Sequence, residues 1–369
     1  WKRPWYFPRA TESISQTLTR ECMSVRQKVG ILDASTLGKI DIQGPDAREF
    51  LNRIYTNNWS RLSVGRCKYG LMCTEDGMLF DDGVTACLGE QHFIMTTTTG
   101  GAARVLDWLE NWLQTEWSDL RVFCNSVTDY WATIAISGPF SRELLSEITD
   151  IELDRSEFSF MDWRQGSVAG IPARVFRISF TGELSYEINV QVDYAAAIWD
   201  ALIEHGAKYD ICPYGTETMH ILRAEKGFII VGQDTDGSVT PKDLGLDWAV
   251  AKHKPFSFLG ERGMERADCI RAERKQLVGL KTHDPAIILE EGSQIVFDPK
   301  QEKPMHMVGH VTSSYLSPIL GRSIALALVE GGHHRLGETI YVASGEHKMR
   351  PAEVCPPVFY DPEGERQNG

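Results

Sequence analysis

The sequence lacks the compact cysteine and histidine motifs that hold metals or redox disulfides. It has eight cysteines and ten histidines, but no Cys-x-x-Cys and no His-Glu-x-x-His motif. Scattered cysteines of this kind are typical of reduced, mostly buried thiols in a cytosolic protein. We therefore predict no metal site and a cytoplasmic location.

Long apolar runs and excess positive charge are also missing. No run approaches the roughly 20 residues that span a bilayer, and no signal peptide is visible, so we predict no membrane association. The formal net charge of −13 argues against general nucleic-acid binding. An anionic ligand would therefore need a local cationic patch. A length of 369 residues indicates two or three globular domains.

The most informative stretch is Lys68 to Val84, with the sequence KYGLMCTEDGMLFDDGV. Thr74 to Gly77 is typical of a turn, and the apolar runs on either side predict a β-hairpin. Asp81 and Asp82 stand side by side at the end of the second strand. Because neighbouring strand residues face opposite sides, one carboxylate is expected in solvent and the other inward, where it needs a partner or a function. The alternative is an Asp-Asp-Gly turn that merely ends the strand.

One pattern occurs twice. Residues 40–54 and 134–148 share two strand isoleucines, Gly-Pro, Arg-Glu and helix Leu and Ile at a constant offset of 94 residues. The repeat predicts two related strand-turn-helix modules, and hence a pseudo-symmetric pair of α/β units.

Two further places carry candidate polar groups. Thr96 to Thr99 precede a predicted helix over 102–117, and their hydroxyls could cap it or form the lip of a pocket. Glu187 lies in the middle of a strand and shares a face with Ser185 and Asn189, so it faces either a binding site or solvent.

The composition changes near residues 266–275, which are charged. Short strands with glycine turns follow and predict a small β-barrel. The expected fold class is α+β, with two pseudo-symmetric α/β units and a C-terminal barrel. We place the first unit with the N-terminal segment at 1–130, the second at 131–270 and the barrel at 271–369.

Taken in order, these stretches resemble the aminomethyltransferase (glycine-cleavage T-protein) family over almost the whole chain. The resemblance rests on Gly44-Pro45, Asp76-Gly77 with Asp81-Asp82, Gly138-Pro139, Thr181-Gly182-Glu183 to Glu187, Arg223-Ala224-Glu225-Lys226-Gly227, Thr240-Pro241-Lys242, Phe258-Leu259-Gly260, Val311-Thr312-Ser313, Ser317-Pro318 and Leu320-Gly321.

The resemblance implies a cloverleaf of two interlocked α/β units and a β-barrel around a central hole that binds tetrahydrofolate, and it implies roles for single residues. Asp82 corresponds to the catalytic aspartate, with Asp81 as the alternative. The implied folate contacts are Tyr69, Thr97, Thr98, Phe180, Glu187 and Arg223. Thr97 and Thr98 replace a Ser-Asn-type pair, and Phe180 replaces a common tyrosine, so a hydroxyl is lost there.

Within the family, the opening segment WKRPWYFP is similar to the start of the folate-binding region of sarcosine oxidase α subunits. That similarity implies an oxidoreductase subunit that captures the one-carbon unit of oxidised sarcosine as 5,10-methylenetetrahydrofolate. Flavin and NAD are then expected only in other domains or subunits, which are the expected partners beside folate and the amine-derived imine. The alternatives are a free-standing folate-dependent aminomethyltransferase or demethylase, and a scaffold module whose pocket is idle.

Overall fold

The computed structural model describes residues 3–345 and 348–369; Trp1 and Lys2 of the opening segment lie outside this range. Two open sheets and a closed barrel form its framework. The helices are α1 (Ile14–Gln27), α2 (Ala47–Ile54), α3 (Ala102–Thr115), α4 (Ser141–Ser146), α5 (Ala195–Gly206), α6 (Thr216–Glu225), α7 (Glu261–Met264) and α8 (Ala267–Ile270). The strands are β1 (Gly30–Asp33), β2 (Gly38–Gln43), β3 (Cys67–Cys73), β4 (Leu79–Gly89), β5 (His92–Thr97), β6 (Phe123–Ser126), β7 (Trp131–Ser137), β8 (Trp163–Val168), β9 (Ile171–Phe176), β10 (Ser185–Gln191), β11 (Cys212–Pro213), β12 (Lys275–Thr282), β13 (Gln294–Val296), β14 (Gly309–Ser317), β15 (Arg322–Glu330), β16 (Thr339–Ser344) and β17 (Lys348–Cys355).

The sequence repeat corresponds to a structural repeat. The strand of the first copy is β2 in a five-stranded sheet of order β3-β4-β5-β2-β6, and that of the second is β7 in a six-stranded sheet. Gly44 and Gly138 end these strands with φ of +137° and +132°, which a side chain would rarely adopt. Each is followed by Pro and a short helix, α2 or α4. The prediction of twin strand-turn-helix modules is confirmed.

The two sheets are interlocked by the path of the chain. Strand β1 comes first in sequence but lies in the six-stranded sheet, of order β11-β1-β7-β10-β9-β8. It pairs antiparallel with β7 and parallel with β11, while the next strand, β2, belongs to the other sheet. The chain thus crosses between the sheets at residues 34–37. The division at residues 130 and 270 stays a proposal.

The last strands close into the expected barrel, in the order β12-β15-β14-β13-β16-β17. Its interior is apolar because alternate strand residues face inward; Leu280, Val311, Ile340 and Val354 are completely buried. Within the described ranges, no helix combines the length and the apolar character needed to cross a membrane.

A buried ionic network joins α1, α6 and the C-terminal segment. The guanidinium of Arg26 donates to Glu183 over 2.9 Å and to Glu225 over 2.5 Å, and Arg366 donates to Glu183 over 2.8 Å. Arg26, Glu183 and Glu225 are at most 1% exposed. Because removing one partner of such a network leaves an uncompensated buried charge, the network restrains α1, α6, the loop before β10 and the C-terminal segment relative to one another.

The hairpin differs from its prediction in two respects. Strand β4 does not end at the Asp-Asp-Gly sequence but continues to Gly89, so the turn alternative is wrong. Asp81 does not face solvent either, since it is 0% exposed. The face of β4 that carries Asp81 is covered by the segment after β5, which includes Thr98. The local sequence pattern gives no sign of this contact.

Candidate functional site

A cavity of about 1590 Å³ opens where the sheets and the barrel meet. Its wall includes Tyr69 and Asp82 from the five-stranded sheet, Glu187 from the six-stranded sheet, and Leu277 from the barrel. Side chains that are far apart in sequence therefore face one space, and most of the surface around them is apolar. This combination is typical of a small-molecule site.

Asp82 is the best-placed carboxylate. Its position opposite Leu71 in the β3–β4 ladder directs it into the cavity, and the Tyr69 hydroxyl donates to its Oδ2 over 2.6 Å. Burial raises the pKa of Asp82 to about 7; the Tyr69 hydrogen bond opposes this rise, and the charge of Asp81 adds to it. A carboxyl with a pKa near neutrality can both accept and donate a proton under physiological conditions.

Asp81 lies behind the cavity wall. Its Oδ1 accepts from the backbone N–H of Asp82 over 2.8 Å and of Thr98 over 3.2 Å, and its Oδ2 accepts from the Thr98 hydroxyl over 2.9 Å. It is fully buried and does not line the cavity. Of the two adjacent aspartates, only Asp82 can therefore meet a ligand directly.

The threonine run forms one edge of the cavity. Thr96 to Thr99 all line it. The Thr97 hydroxyl donates to the Thr98 carbonyl over 3.0 Å, and the Thr98 hydroxyl accepts from the Gly101 N–H over 3.1 Å. Helix α3 starts after Gly101, which has no capping side chain. The threonine hydroxyls thus stabilise both the cavity edge and the segment that leads into α3. Helix capping alone therefore does not account for the threonine run.

Glu187 faces the cavity from the centre of β10. Tyr186, Ile188 and Val190 on the other face are completely buried, so alternation turns Glu187 and Ser185 inward. Burial raises the pKa of Glu187 to about 7, while the positive charges of Lys39 and Arg3 oppose the rise. Strand β10 lies between β7 and β9, and the polar face that carries Glu187 borders the cavity.

Phe180 and Arg223 have different surroundings. Phe180 lines the cavity and stacks on Phe228, with ring centroids 6.2 Å apart. Arg223 does not line the cavity, and its side chain is 0% exposed. It pairs with Asp234 and donates to the Phe228 carbonyl over 3.0 Å. The structure therefore does not bring Arg223 together with the other candidates; it holds the backbone beside the Phe180–Phe228 pair.

Several cavity residues were missed by the sequence reasoning. Trp248 stacks on Tyr69 with centroids 6.1 Å apart and an interplanar angle of 29°, and it remains 70% exposed. The cationic residues in the wall include Arg3, Lys68, Arg104 and Lys226. The Arg-Pro-Trp opening was a signal for Arg3, but nothing local showed that residues 3–5 lie against the start of α6, where Thr216 N–H donates to the Pro4 carbonyl over 3.0 Å.

Metal ligands do not gather in the part of the chain that the structure describes. No group of three or more His, Cys, Asp or Glu side chains there is arranged to hold a metal ion. The arrangement supports chemistry by two carboxyls, aromatic faces and surrounding cations.

Comparisons with known proteins agree with this fold. The family model of the GCVT N-terminal domain matches residues 1–254, and that of the glycine cleavage T-protein C-terminal barrel domain matches residues 275–361. The chain therefore belongs to the aminomethyltransferase (glycine-cleavage T-protein) family. The solved aminomethyltransferase T of the glycine cleavage system from Bartonella henselae has the same fold, with a TM-score of 0.83 over 98% of this chain and 92% of that one, at 22% identity. The expected α+β fold class is confirmed.

Sequence relatives are of two kinds. The sarcosine oxidase subunits alpha of Corynebacterium sp. (strain P-1) and Rhizobium meliloti are 50% and 43% identical over 100% and 99% of this chain. The chain spans only 38% and 37% of their lengths. The aminomethyltransferase of Thermotoga petrophila is 31% identical over 98% of this chain and 92% of its own length.

Proposed function

We propose that the cavity binds tetrahydrofolate and that this chain transfers to it the one-carbon unit of an amine-derived imine, giving 5,10-methylenetetrahydrofolate. The observation that carries the proposal is the placement of Asp82 and Glu187 in the wall of one apolar cavity, each with a pKa near 7. Carboxyls with such pKa values that face one cavity are typical of acid–base and ligand-orienting sites.

The cavity residues fit a reduced folate. The aminopyrimidine edge of a pterin presents N–H donors, and the Glu187 carboxylate can accept two of them. Flat faces are available at the stacked Tyr69–Trp248 pair and at Phe180. Pockets for ligands of this size have volumes of roughly 300–1,000 Å³, so a cavity of about 1590 Å³ leaves room for a small imine beside the folate.

Asp82 would do the acid–base work. When bound, tetrahydrofolate supplies the nucleophilic nitrogens that take up the carbon. The carboxylate of Asp82 stabilises the positive charge that develops near it and accepts the proton that the attacking folate nitrogen releases. It passes this proton to the donor nitrogen, which leaves as the free amine when its bond to the transferred carbon breaks. The Tyr69 hydroxyl holds one carboxylate oxygen, so the other remains available to the ligand.

The donor is proposed from the relatives. Because the relatives that are 50% and 43% identical to this chain are sarcosine oxidase subunits alpha, we propose that the imine comes from sarcosine oxidised at a flavin elsewhere in a larger enzyme. Flavin and NAD would then be bound outside this chain, by other domains or subunits that are its partners. Without folate, the carbon would leave as formaldehyde.

The experiment is a titration of the full protein with tetrahydrofolate, followed by a transfer assay. Glu187→Gln should weaken binding about 10- to 100-fold, because it loses charge-assisted hydrogen bonds worth roughly 1.5–3 kcal/mol. Asp82→Asn should bind folate but transfer roughly 10²–10⁴-fold more slowly. Asp107→Asn, an exposed change on α3, is the matched control.

A wild-type protein that fails to bind tetrahydrofolate would overturn the proposal, as would normal transfer by Asp82→Asn. The free-standing aminomethyltransferase or demethylase is the second candidate, because the Thermotoga petrophila relative is matched over 92% of its length. It predicts methylene transfer by this chain with no oxidase partner. The idle-scaffold alternative is disfavoured, since the cavity is open and lined by ionisable groups.

A further inference from the structure

The Asp81 side chain makes three hydrogen bonds that have no part in the proposed chemistry. Its two oxygens accept three hydrogen bonds, one from Asp82 and two from Thr98, and all three donors are N–H or O–H groups. An acceptor-only pattern suits an ionised carboxylate. Yet the side chain is 0% exposed and outside the cavity wall, so it cannot touch a ligand there.

We propose that Asp81 is a positioning residue that fixes the Asp82 carboxylate and the threonine edge of the cavity in one arrangement, a role that rests on the proposed one-carbon transfer. It would act through Asp82 and not on the ligand.

The geometry supports this role because the β4–β5 ladder stops beside the site. Registered pairs run from Gly89 to Thr85 on β4, and none includes Asp82, Gly83 or Val84. Side chains join the strands there instead. The Thr96 hydroxyl accepts from the Val84 N–H over 2.9 Å and donates to the Val84 carbonyl over 3.1 Å. Three residues before Val84 on β4, the Asp81 carboxylate accepts from the backbone N–H groups of both Asp82 and Thr98 and so links β4 to the segment after β5.

The surrounding packing leaves space for this carboxylate. A Cβ on Gly101 would lie 1.9 Å from the Asp81 Oδ2 atom, whereas a Cβ on the adjacent Gly100 would meet nothing within 4 Å. Gly101 is therefore required by close approach to Asp81. Gly100 provides a matched control one residue away on the same loop.

Asp81 also acts on Asp82 through its charge. A neighbouring carboxylate disfavours ionisation, so it raises the pKa of Asp82, in addition to the larger effect of burial. Burial raises the pKa of Asp81, while its hydrogen bonds from Thr98 and Asp82 and the charge of Arg104 on α3 oppose that rise. The other titratable groups around the pair are the Tyr69 phenol on β3 and the Tyr55 phenol after α2.

The test compares Asp81→Asn with Thr98→Val and Thr98→Ser in the full protein. Asp81→Asn keeps an oxygen for the two N–H donors but removes the charge. It should slow transfer about 10-fold, change KM for tetrahydrofolate by less than about 2-fold, and move the Asp82 titration toward acid by about one pH unit. Thr98→Val should slow transfer without moving the titration, and Thr98→Ser should restore the rate.

Wild-type kcat and an unmoved titration in Asp81→Asn would overturn the proposal, and so would a fall in folate affinity equal to the fall in rate.

A second readout does not use folate. The stability difference between Asp82→Asn and its parent is measured as a function of pH, once with Asp81 present and once in the Asp81→Asn background. The pH midpoint of that difference should be lower in the Asp81→Asn background by about one pH unit, the same shift as in the Asp82 titration. If wild-type protein binds no tetrahydrofolate, the proposed function fails, whereas an unmoved stability midpoint rejects the Asp81–Asp82 coupling itself. Should Asp81→Asn fail to fold, Gly101→Ala against Gly100→Ala tests the same geometry: equal transfer rates would reject it.

Discussion

Replacing Asp82 by asparagine is expected to stabilise the protein at alkaline pH although it removes the proposed chemistry. Burial raises the pKa of this carboxyl from 3.8 to about 7 in the folded state. The folded protein therefore holds the proton more tightly than the unfolded chain does. Stability that depends on this group is fully present below about pH 4 and is lost as pH rises toward 7.

The magnitude follows from the size of the shift. A displacement of about three pKa units corresponds to roughly 4 kcal/mol, since one unit is about 1.36 kcal/mol. The asparagine side chain has nearly the same shape, carries no charge and still offers an oxygen to the Tyr69 hydroxyl. We therefore expect Asp82→Asn to be on the order of 2–4 kcal/mol more stable than wild type near pH 8, with the difference approaching zero near pH 4.

The assay is denaturant unfolding of both proteins at a series of pH values. Asp107→Asn, on the exposed face of α3, should show no comparable rise. A stability difference that does not change with pH, or an Asp82→Asn protein that is less stable than wild type near pH 8, would refute the argument that burial of this charge is costly. Functional sites often store such a cost, because the same burial tunes the group for proton transfer.

Three further changes test other parts of the structure. Gly101→Ala should destabilise the protein by about 1–3 kcal/mol in thermal or denaturant unfolding, because its Cβ would collide with Asp81, while Gly100→Ala should change little; equal effects would contradict this packing. Arg223→Met should cost roughly 3–5 kcal/mol of stability, since it removes the positive charge that compensates the fully buried Asp234 carboxylate; a stable variant that only loses folate affinity would place Arg223 in the ligand site after all. Glu187→Gln should become more stable relative to wild type as pH rises from about 4.5 to about 7, with the same sign as Asp82→Asn, and a stability difference that does not change with pH would show that Glu187 is well solvated.

Local patterns predicted a large part of the fold. The repeated Gly-Pro motif identified two modules because strand, positive-φ glycine and helix start are all encoded within 15 residues. The alternation around Glu187 predicted which face is polar, since side-chain direction has a period of two in any strand. The short glycine-bounded strands after residue 275 indicated the barrel, and the family resemblance supplied the cavity and the candidate residues.

Contacts between distant segments could not be derived in this way. The sequence showed that one of two adjacent aspartates turns inward, but the buried Asp81 accepts hydrogen bonds from Thr98, which is 17 residues away. Arg223 has the residue type of an anion-binding group, and only its pairing with Asp234 shows that its charge is already used. Periodicity depends on the backbone of one segment, whereas burial, ion pairing and the pKa of Asp82 depend on which other segments pack against it, and that was decided by the tertiary structure.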